Sequence, residues 1–315
     1  MMDIDRKTLY CDKEDVSRLF PKRHERMNKG DAGRVLCICG SYDSSGAGMC
    51  GAAYFAAMAA YRCGAGIVEI FTARENYASL ASLVPEAVFS LYGEEENNDL
   101  VADRLKTSIV KADSIIIGCG LGKSLKAEAL VETTFSSAEC PMVIDADALN
   151  ILSENESFWK LLSDEQRART VITPHIGEMS RLCGKSIDEI LNNTCKIAQS
   201  FSRDRGVVCL LKDHKTVICR GERTFINTSG NAGMATGGAG DVLAGIIGAL
   251  LARDDMAEHA DAEKTAFDSI LYRAAVGAYI HGLAGDAAAS KLGEYYMVAG
   301  DILHEISGVL KQNEC

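Results

Sequence analysis

The chain has 315 residues, 47% of them hydrophobic, with mean hydropathy near zero and a formal net charge of −11. That length and apolar content suffice for one large α/β domain, and the acidic balance excludes the basic footprint that nucleic acid or an anionic membrane surface demands. The charged N-terminus "MMDIDRKTLYCDKEDVSRLF" has no apolar signal core, no span reads as a transmembrane helix, and the twelve cysteines are dispersed with no CxxC pair; we therefore expect a cytoplasmic protein without a structural zinc.

Residues 1–30 read as an N-terminal extension and residues 31–315 as one domain, because no Ser/Pro-rich linker interrupts the chain. Short apolar runs follow in order: "RVLCICG" from Arg34, "GIVEIFT" from Gly66, "SIIIG" from Ser114, "PMVID" from Pro141, "TVIT" from Thr170 and "VVCLLK" from Val207. Continuous rather than alternating hydrophobic runs are what strands buried on both faces look like. Between them, "GAAYFAAMAAYRCG" and "SIDEILNNTCKIAQSFSRD" carry helical spacing, so the pattern predicts a doubly wound α/β layer. "KTVICRGERTFIN" reads as a hairpin turning at Gly221 and Glu222, and "GEEENNDL" from Gly93 is a solvated acidic loop.

The stretch from Ser41 to Cys50 is a long Ser/Gly loop, either a ligand wall or a flexible connection. "SIIIGCGLGKSLKAEALVE" imitates a P-loop, but Ile117 stands where GxxxxGK[ST] needs its first glycine, and counting from Gly118 gives a loop one residue short. It is better read as a turn at a strand's C-terminal end, where open α/β sheets bind ligands. "VIDADALNIL" ends a strand with Asp145 and Asp147, of which one either holds Mg²⁺ through water or N-caps the next helix. "VITPHIGEMSRL" offers His175 and Glu178 at another strand end, and "LLKDHKTVI" sets Lys212, Asp213, His214, Lys215 and Thr216 between two strands, as a ligand contact or a solvated hairpin.

"NTSGNAGMATGGAGDVLAGIIGALLA" puts five glycines between Gly230 and Gly240, then Asp241, then an apolar run. Glycines before a buried helix let backbone amides approach a ligand, so Gly237, Gly238, Ala239 and Gly240 form an anion hole that needs no basic side chain. A carboxylate beside a polyphosphate is unfavourable unless it has a task. Asp241 suits a base that takes a proton from a hydroxyl attacking phosphorus, and the plainer alternative is a first-turn acid.

Six ordered blocks, "GRVLCICGS", "GAAYFAAMAAYRCGAG", "VIDADALNIL", "TPHIGEMSRL", "LLKDHKTVI" and "NAGMATGGAGDVLAGIIGALLA", resemble the ADP-dependent (S)-NAD(P)H-hydrate dehydratases of the ribokinase-like superfamily, over about Val16 to Leu310. The resemblance implies an α/β fold of the ribokinase-like kind: a central, mostly parallel sheet with helices on both faces, in three αβα layers. It implies dehydration of NADHX and NADPHX to NADH and NADPH, with ADP as co-substrate, Mg²⁺ as cofactor, and AMP and phosphate released. By the same likeness Asp241 is the catalytic base. Ala52, Gly120, His175 and Asp241 line the hydrate pocket, Lys212 to Thr216 with Gly240 hold the nucleotide, and Asp145 and Glu178 are candidates for holding Mg²⁺ through water. A homo-oligomer and a separate epimerase partner are further expectations. Ala239 departs from the threonine frequent in relatives, and the Ser41–Cys50 loop is longer than usual. The alternatives are a ribokinase-like kinase for a small vitamin alcohol, sharing base and anion hole, and a non-catalytic nucleotide-binding module, which would have no use for Asp241.

Overall fold

Strands that are apolar on both faces need cover on both sides, and the chain supplies it by alternating strand and helix. The computed structural model describes residues 8–23, 25–42, 46–253 and 269–312. Its first half runs β1 (Thr8–Leu9), α1 (Lys13–Leu19), β2 (Arg34–Ile38), α2 (Cys50–Arg62), β3 (Ile67–Ala73), α3 (Tyr77–Leu83), β4 (Val88–Tyr92), α4 (Asn98–Ile109), β5 (Ser114–Ile117) and α5 (Leu125–Ser137). Then come β6 (Met142–Ile144), α6 (Ala146–Glu154), α7 (Asp164–Ala168), β7 (Thr170–Ile172), α8 (Ile176–Cys183), α9 (Ile187–Asn192) and α10 (Thr194–Arg205). β8 (Val208–Leu211), β9 (Val217–Arg220), β10 (Arg223–Ile226), α11 (Ala239–Leu251), α12 (Ser269–Leu292) and α13 (Ala299–Gln312) complete it.

The strands form one sheet in the order β1-β10-β9-β8-β7-β6-β5-β2-β3-β4. Pairing is parallel except where β9 meets β8 and β10. The β9–β10 register sets Arg220 opposite Arg223, so the hairpin turns at Gly221 and Glu222 as the pattern predicts. One face of the sheet packs against α2, α11, α12 and α13, and the other against α4, α5, α6, α8 and α10. The expected three layers are therefore present.

Three features differ from the sequence reading. β4 escapes the search for continuous apolar runs because it is an edge strand with only Tyr92 fully buried. β1 is too short to carry a pattern, yet it pairs with β10, and the Asp15 carboxylate of the following α1 accepts the Tyr272 hydroxyl at 2.9 Å in the interior. The "SIDEILNNTCKIAQSFSRD" segment is two helices, interrupted at Asn193 where φ −139° and ψ 30° leave helical space. The stretch "KTAFDSILYRAAVGAYIHGLAGDAAAS" reads as one long helix from Lys264; its residues 264–268 lie outside the described residues, and α12 is described from Ser269. Among the described residues no helix is long and apolar enough to cross a membrane.

Helix α11 occupies the centre, with every residue from Val242 to Leu251 buried. Two glycines let it sit there. A Cβ at Gly245 would lie 2.3 Å from the Ala56 carbonyl oxygen of α2, and one at Gly248 would lie 2.5 Å from the Ile116 side chain of β5. Backbone cannot yield as a side chain can, so Gly245→Ala is expected to push α11 off α2 and destabilise the fold by about 1–3 kcal/mol, despite alanine's better helix propensity. A urea midpoint equal to or above the wild-type value would refute this account of the packing.

Candidate active site

The C-terminal ends of β5, β6, β7 and β8 open onto the N-terminus of α11. After β5 the chain turns through "GCGLG", with Gly118 at φ +117° and Gly120 at φ +58°. A side chain at Gly118 would stand 1.9 Å from the Asp145 carbonyl oxygen, so the loops after β5 and β6 touch backbone to backbone only because residue 118 is glycine. Asp145 follows β6 directly, and Ala146 after it adopts φ +48°, the one non-glycine residue with positive φ among those described. Backbone strain of this kind is kept where the surrounding structure fixes it, commonly at functional sites.

Asp145 occupies the N-cap position of α6, yet its side chain makes no capping bond. Its carboxylate is 2% exposed and pairs with the Lys212 ammonium, Oδ1 to Nζ 2.9 Å. Asp147 instead braces the β5 loop, accepting the Gly122 N–H at 2.8 Å. Of the two carboxylates, only Asp145 faces the site. Lys212 is placed by β8, its N–H donating to the Pro174 carbonyl at 2.8 Å. Buried beside Asp145 and Glu178, its ammonium is held above the usual lysine range in spite of desolvation. The solvated-hairpin reading thus fits Asp213, His214 and Lys215, which are exposed, and does not fit Lys212. Thr216 lies at the rim, donating to the Asp213 carbonyl at 3.3 Å.

Asp241 stands in the first turn of α11, across from Asp145. The Cys119 sulfur and one oxygen each of Asp145 and Asp241 lie within 4.8 Å of one another. Burial, followed by repulsion from Asp145, pushes the Asp241 carboxyl up to about 6, while the Cys119 thiol and Lys212 pull the other way. Contact with Cys39 and burial raise the Cys119 thiol well above its ordinary value, so it stays protonated beside Asp241. In the sequence Cys119 reads as core filling. Its place after "SIII" at a strand end was the available signal.

The glycine turn meets these groups directly. Gly238 takes φ +95°, and a Cβ there would strike the Phe55 ring at 2.6 Å. Gly240 is close enough that a Cβ would sit 3.4 Å from Lys212 Nζ and 3.7 Å from Asp145 Oδ2. The first helical bond of α11 runs from the Val242 N–H to the Gly238 carbonyl at 3.1 Å, and the Ala239 N–H is turned back onto the Thr236 carbonyl at 3.3 Å. The Gly240 and Asp241 amides therefore form the open end of the helix, with no side-chain cap over them. An uncapped helix end of this kind offers donors that suit an anion.

Ala52 and Gly120 are neighbours, since a Cβ on Gly120 would lie 2.8 Å from Ala52 Cβ and from Met49 Cβ. The Ser41–Cys50 loop folds back on itself through a Tyr42–Gly48 bridge, and its residues 43–45 lie outside the described residues. His175 sits on the rim, 54% exposed at the side chain. Its Nδ1 accepts the Gly177 and Glu178 N–H groups at 3.0 and 3.3 Å, which leaves Nε2 to carry the proton of the neutral ring, 3.5 Å from Glu178 Oε1. Burial and the nearby Lys212 charge hold the imidazole below its ordinary value. Glu178 is 5% exposed and burial pushes its carboxyl up to about 7. The P-loop imitation dissolves in the structure: Lys123 pairs with Glu154 at 2.7 Å on the surface, and Ser124 caps α5.

The chain is 36% identical over 299 residues to a bifunctional NAD(P)H-hydrate repair enzyme of Moorella thermoacetica, matching 94% of this chain and 52% of that one. It thus spans about half the length of that relative. An ADP-dependent (S)-NAD(P)H-hydrate dehydratase of Lactiplantibacillus plantarum is 34% identical over 248 residues, covering 76% of this chain and 80% of the relative. A ribokinase-like superfamily protein of Enterococcus faecalis superimposes with a TM-score of 0.78 at 27% identity, covering 98% of this chain and 97% of the other. The family profile described as NAD(P)H-hydrate dehydratase matches residues 35–307, from the first core strand into the last helix, and the chain belongs to that family.

Proposed function

We propose that this chain dehydrates the (S)-hydrates of NADH and NADPH, using ADP as phosphoryl donor and releasing AMP and phosphate. The observation that carries the reading is the placement of a half-buried carboxylate, Asp241, at the uncapped N-terminus of α11 beside Lys212. An amide-lined helix end receives the phosphates. A base poised near neutrality serves the hydroxyl.

In the proposed reaction Asp241 takes the proton from the hydroxyl on the saturated ring carbon. That oxygen attacks the β-phosphorus of ADP in line, the bond to the AMP oxygen breaks, and the Gly240 and Asp241 amides with Lys212 Nζ balance charge on the moving group. Phosphate then leaves carbon, driven by the ring-nitrogen lone pair, the neighbouring carbon loses a proton, and the dihydronicotinamide reforms. Phosphorylation is needed because hydroxide is a poor leaving group. Asp145 and Asp241 present oxygen donors of the hard type Mg²⁺ prefers, so the residues fit that ion, with Asp145 and Glu178 the candidates to hold it through water. Bound there, Mg²⁺ would neutralise negative charge on the donor phosphates. Ala52, Gly120 and His175 bound the hydrate, and Asp213 to Thr216 form the rim for the AMP portion. An epimerase that converts the (R)-hydrates to the (S)-form is the functional partner this reaction calls for.

The reading is tested by following absorbance at 340 nm with hydrated NADH, Mg²⁺ and ADP, alongside free phosphate. Matched rises in both are expected, whereas a stable phosphorylated product without phosphate release would sink the dehydratase and point to a kinase. Asp241→Asn should lower kcat by roughly 10²–10⁴-fold, the usual worth of a general base, with ADP affinity unchanged or improved. The pH profile of kcat/KM should rise through about 6 as Asp241 loses its proton. A profile flat across that range would assign the base elsewhere. Lys212→Met removes the partner of a carboxylate that is only 2% exposed, so we expect a stability deficit of about 3–5 kcal/mol; a melting temperature equal to that of the wild type would contradict the charge balance drawn here.

A further inference from the structure

Helix α12 forms the floor of the glycine turn, and the proposed chemistry makes no use of the one imidazole it carries there. Three glycines bring the helix into contact. A Cβ at Gly277 would lie 2.9 Å from Ile247, one at Gly282 2.1 Å from the Ser229 hydroxyl, and one at Gly285 2.3 Å from the Met234 sulfur. Around them α12 fastens the loop: the Ser229 hydroxyl donates to the Tyr279 carbonyl at 2.9 Å, and the Asp286 carboxylate accepts the Gly230 N–H and the Asn231 amide, each at 2.9 Å. His281 lies amid these contacts.

Its ring reaches hydrogen-bonding range of the Ala239 backbone, the first residue of α11, and feels the Lys212 charge. Burial pushes the imidazole down to about 4, so it is neutral under ordinary conditions. Nε2 is shut off from solvent and, among the described residues, finds no hydrogen-bond partner. An apolar side chain of similar size would fill such a place without leaving a polar atom unmatched. Stability alone therefore does not account for histidine here.

We propose that His281 is a positioning residue for the phosphate-binding turn: it sets the backbone at Ala239 so that the Gly240 and Asp241 amides stay aimed at the ligand, and its Nε2 gains a partner when the turn closes on nucleotide. This rests on the nucleotide reading given above. It adds a residue from α12 to a site otherwise built from strand ends and α11.

The test compares the wild-type protein with His281→Leu and His281→Gln in three measurements: melting temperature, ADP affinity in the presence of Mg²⁺ by calorimetry, and amide hydrogen exchange of the turn without nucleotide. For His281→Leu we expect a melting temperature equal to or above wild type, ADP affinity reduced at least about tenfold, and at least about tenfold faster exchange at Ala239 to Asp241, with α12 itself unchanged. His281→Gln, which keeps polar atoms near the same place, should recover part of the affinity. Wild-type ADP affinity and wild-type exchange in His281→Leu would overturn the proposal, as would a parallel fall of melting temperature and affinity that glutamine does not relieve. If the wild-type protein binds no ADP, or binds it without turning over hydrate, the functional reading fails, while the exchange comparison still decides the role of His281.

Discussion

Three carboxyl groups, those of Asp145, Glu178 and Asp241, crowd the strand ends of a protein already carrying a net charge of −11, and the Lys212 ammonium is what makes the arrangement tenable. The pair it forms with Asp145 is desolvated, so both charges have paid for leaving water and each holds the other in place. Asp145 is then a fixed anion, and it is the second cause, after burial, of the raised Asp241 carboxyl. Glu178 feels the same neighbours and is displaced further, to about 7. A structural ion pair thus sets the proton affinity of the group proposed as the base.

The second constraint is steric. Helix α11 must bring its N-terminus to the strand ends while its body lies flat between α2 and the sheet, and both requirements fall on glycine. Gly245 allows the contact with the α2 backbone, and Gly238, at φ +95°, allows the chain to enter the helix past the Phe55 ring. Because the packing of α11 fixes where its first turn lies, the position of the Gly240 amide relative to Lys212 is decided by contacts well inside the core. The glycines of "GGAGDVLAGIIG" therefore divide into those that open the helix end to a ligand and those that seat the helix.

Local chemistry made much of this legible from the sequence. Buried parallel strands appear as unbroken apolar runs, the hairpin as a Gly-Glu turn, and the glycine-rich entry to a buried helix as glycines ahead of an apolar run. Strands β1 and β4 were not legible, because an edge strand need not be apolar on both faces and two residues carry no period. At the site the sequence supplied the residues but not their pairings. Nothing local distinguishes Lys212 from Lys215, yet one is drawn inward to Asp145 and the other faces solvent, because the alternation of a strand continues one residue beyond β8. Cys119 and His281 were hidden for a related reason: each resembles core filling along its own element and gains its significance only from its neighbours, Asp241 and Ala239, brought near it by packing.

The proposed handling of a polyphosphate follows from these points. An anionic chain cannot attract such a ligand over distance, and the Lys212 ammonium, partly buried at the site, already has its charge engaged by Asp145. In the proposed function the contacts that hold the phosphates come chiefly from neutral donors at short range, the open amides of α11. Amides act only when correctly aimed, since each contributes a dipole instead of a charge and a small rotation removes the bond. A site built this way places its demands on the backbone. Ala239 is consistent with that logic: the turn carries no hydroxyl at this position, and the alignment of its amides depends on the glycines that shape it and the helix on which it rests.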